Sequence, residues 1–152
     1  FNIKSIEGNE INLENFKYNV ILLVNSASYC GFTKKYDGLQ KIYQKYKDKG
    51  LVVIGVPSNS FNQEKNDESE IKEFCDVNFS ITFPITSIYD VRGENAHPIY
   101  KWAKDNYGKS AVPKWNFHKI IINKEGKIEE TFSSLTKPTS NKILNILDKL
   151  LN

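Results

Sequence analysis

Short apolar runs and amphipathic stretches succeed one another along this chain in a regular order. Phe1 to Ile6 alternates apolar and polar positions, Glu7-Gly8-Asn9 supplies a turn, and Glu10 to Leu13 alternates again, which predicts an N-terminal β-hairpin. Val20 to Val24 is continuously apolar and of strand length, so it predicts a strand buried on both faces. It breaks at Asn25-Ser26-Ala27-Ser28. A helix is expected from about Thr33 to Lys49, because Tyr36, Leu39, Tyr43 and Tyr46 recur at helical spacing and Gly50 follows as a C-terminal cap. Leu51 to Val56 predicts a second buried strand. Two such strands joined by a helix make a parallel crossover, so their C-terminal ends share one sheet edge and the Pro57 to Glu64 loop is expected beside Cys30.

A second helix is predicted from about Glu68 to Asn78, with Asp67 and Glu70 spaced as a capping box and Ile71, Phe74 and Cys75 on its apolar face. Phe83 to Val91 reads as a short strand ending in a turn at Arg92-Gly93. His97-Pro98 starts a third helix whose apolar side is Ile99, Tyr100, Trp102 and Ala103. Phe117 to Ile122 is read as a strand turned by Asn123-Lys124-Glu125-Gly126 into Lys127 to Ser133, an antiparallel hairpin. Pro138 to Ser140 opens the last helix, with Ile143, Leu144, Leu147, Leu150 and Leu151 facing the sheet. This order predicts an α/β protein with a mixed central sheet flanked by helices, and a thioredoxin-like fold fits it best.

Composition narrows the function without naming it. The 152 residues are read as one domain, 1–152, able to bury a core without disulfides or metal. The net charge of +3 comes from lysines scattered among acids, with no basic block, so no nucleic-acid partner is expected. No apolar run reaches the length needed to cross a bilayer. A cytoplasmic protein is expected, with a removed targeting segment left open because methionine is absent throughout. Arg92 is the only arginine, so a bound anion would rely on lysines and backbone N–H groups.

The residues that carry candidate chemistry are few. Cys30 stands between a buried strand and a helix start, where the helix macrodipole, Lys34 and Lys35 favour the thiolate, the reactive form. Cys75, on an apolar helix face, reads first as a small core residue. His97 reads as structural. No C-x-x-C motif is present, which argues against a disulfide oxidoreductase or a metal chaperone, and no cofactor is expected.

Asn25-Ser26-Ala27-Ser28-Tyr29-Cys30-Gly31-Phe32-Thr33 resembles the active-site signature of the glutathione peroxidase family, with cysteine where some members carry selenocysteine. Lys114-Trp115-Asn116-Phe117, Phe61-Asn62-Gln63-Glu64 and Gly93-Glu94-Asn95-Ala96-His97-Pro98 are similar to three further blocks of that family, in the same order. The resemblance implies a catalytic tetrad of Cys30, Gln63, Trp115 and Asn116 and the reduction of hydrogen peroxide or organic hydroperoxides. In that chemistry a thiolate attacks one peroxide oxygen while the O–O bond breaks, and an indole N–H and two side-chain amides donate to the charges without titrating.

The chain departs from the family pattern at two places. The 57–63 loop is one residue shorter, so Gln63 is the best candidate for the amide, with Asn62 and Asn59 as substitutes. Cys75, the residue that would resolve the sulfenic acid in thioredoxin-dependent members, stands one position earlier than usual, a rotation of about 100° that turns it toward the core unless the helix unwinds. The resemblance therefore implies a two-cysteine peroxidase recycled by thioredoxin. A one-cysteine enzyme using glutathione, a sensor passing oxidation to a partner protein and a binding module with a degenerate site are the alternatives. The short segment between His97 and Trp115 resembles the monomeric branch, so a monomer with an open rim for lipid hydroperoxides is expected.

Overall fold

The computed structural model describes residues 1–29, 34–65 and 67–152. Strands β1 (Asn2–Lys4) and β2 (Glu10–Asn12) form the expected antiparallel N-terminal hairpin. The main sheet holds β3 (Val20–Ser26), β4 (Leu51–Pro57), β5 (Lys119–Ile122) and β6 (Ile128–Phe132) in the order β4-β3-β5-β6. β3 is therefore central. It runs parallel to β4, with Val20 opposite Leu51 and Ser26 opposite Pro57, and antiparallel to β5, with Val24 opposite Lys119. Four helices complete the chain: α1 (Lys35–Tyr46), α2 (Glu68–Phe79), α3 (Pro98–Tyr107) and α4 (Asn141–Leu151).

β3 is buried along its whole length because its side chains feed two cores. Val20, Leu22 and Val24 pack with Tyr36, Leu39 and Ile42 of α1, Ile71 and Cys75 of α2, and Ile143 and Leu147 of α4. Ile21 and Leu23 face the other way, onto Ile99, Tyr100 and Ala103 of α3. Each such aliphatic side chain contributes about 1.5–3 kcal/mol by leaving water. The continuous apolar run of the sequence is thus the signature of helices on both faces.

Two sequence expectations are corrected. Residues 83–91 form no strand; they meet β4 through one parallel bridge, Gly55 with Ile85, and through the Tyr89 amide, which donates to the Pro57 carbonyl at 3.0 Å. Pro84 has no N–H to extend a ladder, and its carbonyl accepts from Gly55 before Thr86 returns one bond to the Gly55 carbonyl. The strand expected from Phe117 begins only at Lys119, because Phe117 takes a φ of +64° and turns the chain. The capping-box spacing at α2 yields a cap of a simpler kind: the Asp67 carboxylate accepts from the Ser69 amide at 2.8 Å. His97 caps α3 through its ring Nδ1, which accepts from the Ile99 amide at 3.1 Å, in keeping with its structural reading. No helix among the described residues is long and apolar enough to cross a membrane.

Candidate active site

The C-terminal ends of β3 and β4 and the N-terminal end of β5 meet at one sheet edge, as their pairing requires. Three loops consequently converge there: 27–29, 58–64 and 113–118. Backbone bonds lock the convergence. The Ser58 amide donates to the Ser26 carbonyl at 3.0 Å, Tyr29 N–H to the Gln63 carbonyl at 2.8 Å, and Phe117 N–H to the Asn25 carbonyl at 2.6 Å. The buried side chain of Asn25 adds a fourth tie, its Nδ2 donating to the Trp115 carbonyl at 3.0 Å. The 57–64 loop meets Ser28 and Tyr29, just ahead of the Cys30 that the sequence places beside it. Cys30 itself lies outside the described residues.

The three other residues of the expected tetrad are placed on these loops. Gln63 is half-buried and adjoins Tyr29 through its own carbonyl. Asn59, a substitute for it, is committed elsewhere: its Oδ1 accepts from the Glu64 amide at 3.3 Å and shapes the loop. Asn62, the other substitute, is exposed and sits at a φ of +59°. Trp115 is 37% exposed and packs its ring on Phe61 with centroids 5.4 Å apart, while the Arg92 guanidinium lies 4.1 Å from the far partner of that stack, Phe61. The single arginine therefore supports an aromatic stack. Asn116 is fully buried, and neither its Nδ2 nor its Oδ1 has a hydrogen-bond partner among the described residues. A buried amide left in that state costs free energy and marks a group held ready for something other than the fold.

Cys75 lies on α2 with no exposed surface. Burial pushes its thiol up to about 12, opposed by the nearby Tyr36 hydroxyl and reinforced by the charges of Glu64 and Asp76. The inward rotation expected from its shifted position is thus observed.

Three buried polar groups at this edge escaped the sequence reading. Glu64 follows Gln63 and its Oε1 accepts from the Ser28 amide at 3.1 Å and the Lys65 amide at 2.8 Å. Burial raises its carboxyl above the ordinary range, against the bonds from Ser28 and Lys65. Lys119 is completely buried, donating to the carbonyls of Phe117 at 2.6 Å and Ser133 at 3.2 Å, and burial, with Lys35 nearby, brings it down to about 7. A lysine inside an otherwise apolar strand was the signal available for it. His118, lowered by burial to about 4, lines an open groove of about 490 Å³ that runs beside Trp115 between Lys114, Thr131, Ser133 and Leu135. A cavity of about 580 Å³ at the opposite end of β3, near Phe1, Ile21, Trp102 and Ile122, is larger but touches none of the candidate residues. No group of three or more metal-ligating side chains occurs among the described residues.

Known proteins bear on this arrangement. A model of the family described as Glutathione peroxidase matches residues 1–104. The glutathione peroxidase-like peroxiredoxin gpx1 of Schizosaccharomyces pombe is 42% identical over 138 residues, 89% of this chain and 87% of that protein. The hydroperoxy fatty acid reductase gpx1 of Synechocystis is 37% identical, over 99% of this chain and 94% of its own. Among solved structures, the crystal structure of Trgpx in apo form has a TM-score of 0.77 at 33% identity, covering 99% of this chain and 93% of that one, which bears out the thioredoxin-like fold. With a family model matched over residues 1–104 and relatives of 37% and 42% identity over most of its length, the chain belongs to the glutathione peroxidase family, whose activity is that of a peroxidase.

Proposed function

We propose that this peroxidase reduces hydrogen peroxide and organic hydroperoxides through a Cys30 sulfenic acid, that Gln63, Trp115 and Asn116 complete its site, and that Cys75 resolves it for reduction by thioredoxin. The observation that carries the reading is Asn116: a fully buried side-chain amide with both polar atoms unpartnered among the described residues, on the loop tied to the end of β3. Such a donor is fixed before the reaction and can meet a thiolate or a departing peroxide oxygen at no reorganisation cost. Trp115, half in water and braced by Phe61, supplies an indole N–H at the same loop. The groove beside it, walled by Leu135 and floored by polar groups, suits the tail of an organic hydroperoxide.

The Cys30 thiolate attacks one peroxide oxygen, the O–O bond breaks, and the leaving alkoxide or hydroxide takes a proton to become alcohol or water. The Cys75 sulfur then attacks the sulfenyl sulfur, the S–O bond breaks, and water leaves as the disulfide forms. Cys75 must first emerge, since it is buried and strongly disfavoured as thiolate, so opening of α2 is part of this step. A relative named a peroxiredoxin supports thioredoxin as the reductant, and the engagement of Arg92 on Phe61 leaves glutathione without an arginine to hold it. We further place the protein in solution as a cytoplasmic monomer.

Intact mass after one equivalent of peroxide, followed by alkylation of the remaining thiols, tests this reading. Loss of both thiols without retained oxygen or dimer is the expected result. One lost thiol with retained oxygen would remove Cys75 from the cycle, and two alkylatable thiols would remove Cys30.

A further inference from the structure

Glu64 is a costly residue to place where it stands. Its side chain is almost wholly buried, Oε1 takes two amide hydrogen bonds, and Oε2 has no partner among the described residues. The two amides come from different loops: Ser28, just before the nucleophile, and Lys65, just after Gln63. Beside this contact the Tyr29 amide meets the Gln63 carbonyl, so residues 28–29 and 63–64 are zipped together at two successive positions. Among the described residues, the other side-chain tie between these segments, Lys65 Nζ to the Tyr29 hydroxyl at 3.0 Å, lies exposed.

We propose that Glu64 is a positioning residue of the peroxide-reducing site, its carboxylate clamping the Ser28–Tyr29 end of the nucleophile loop to the loop that carries Gln63. The role rests on the peroxidase reading above. An ionised acceptor makes a shorter and about twofold stronger hydrogen bond than a neutral one, so the clamp is tightest with Glu64 charged. The groups that face it are Lys65 on its own loop, Ser28 from the nucleophile loop, Tyr36 from α1 and Cys75 from α2. Burial keeps the Tyr36 hydroxyl and the Cys75 thiol protonated at neutral pH, so Lys65 is the one counter-charge among them. Burial also raises the Glu64 carboxyl above its unfolded value, so ionisation at neutral pH lowers folding stability while it strengthens the clamp.

That opposition makes the test specific. Glu64→Gln keeps an acceptor in place of Oε1 and removes the charge. It is expected to hold or raise Tm at neutral pH while kcat/KM for hydrogen peroxide falls by about fivefold or more, and Glu64→Ala to fall by about fiftyfold or more. The Tm gap between Glu64→Gln and wild type should close as pH drops through the raised carboxyl value. A residue that only props up the fold would lower Tm and activity together in the Gln variant, and that result overturns the proposal. So does an unchanged kcat/KM in Glu64→Gln and Glu64→Ala when the wild type turns over peroxide. A wild-type protein without turnover would instead sink the peroxidase reading, and this role with it.

Discussion

The buried ammonium of Lys119 donates at 2.6 Å to the carbonyl of Phe117, the residue whose left-handed backbone turns the Trp115–Asn116 loop into β5. A second bond, to the Ser133 carbonyl, ties the same ammonium to the chain beyond β6. Lys119→Met takes this donor from the Phe117 carbonyl, at about 1–3 kcal/mol, while the Ser133 carbonyl keeps its bond from the Thr136 amide, and the change is expected to cut peroxide turnover by loosening the loop. The pH dependence gives a cleaner sign. Because burial lowers Lys119 from 10.5 to about 7, the unfolded chain holds the extra proton between those values, and stability rises with pH across that window. Thermal melts of wild type should show that rise, and the Met variant should show a flatter profile.

Asn116→Ala separates function from folding. The Asn116 amide makes no hydrogen bond to the described residues, so its removal is expected to change stability by less than about 1 kcal/mol, the small cavity offsetting the relieved polar burial. Peroxide reduction should fall by about a hundredfold or more, the loss typical of one preorganised donor. Equal stability with equal activity would refute the assignment of Asn116 to the site.

Cys75 offers a thiol that reports on α2. Its value of about 12 instead of 9 lowers the thiolate population by about a thousandfold, and burial blocks access as well. Iodoacetamide should label it in the native reduced protein at least about a hundredfold more slowly than in urea. Labelling at similar rates in both would mean that α2 is already open, contrary to the packing of its Phe79 on Tyr36 of α1.

Gly55 is chosen by contact. A Cβ there would stand 3.2 Å from Cε1 of Phe83, in the segment that bridges to β4. Gly55→Ala is expected to destabilise the protein by about 1–3 kcal/mol in urea titrations, with part of the loss recovered by Phe83→Leu in the same chain.

The elements most legible in the sequence were those whose pattern depends on burial alone. Val20 to Val24 and Leu51 to Val56 read as buried strands because apolar side chains on both faces leave a continuous run. Residues 83–91 and Phe117 were misread because apolar content resembled strand while a proline and a left-handed turn decided the backbone. At the site, Trp115, Asn116 and Gln63 came from likeness to a family. Glu64 could not be read at all, since an acid in a polar loop looks solvated until β3 and β4 set their ends side by side. His118 was hidden for the same reason, lying between aromatic and lysine with nothing in its spacing to mark it.

The tie between Asn25 and Trp115 spans 90 residues of chain, and that between Ser28 and Glu64 spans 36. As the chain leaves the ribosome, β3, α1 and β4 can therefore dock, and the carboxylate can engage the nucleophile loop, well before the loop bearing the indole and the last amide has been made. The nascent cysteine passes this interval without two of its assigned donors. On the proposed assignment those donors arrive only when β5 slots in against β3, which makes peroxide reactivity the last property the growing chain acquires.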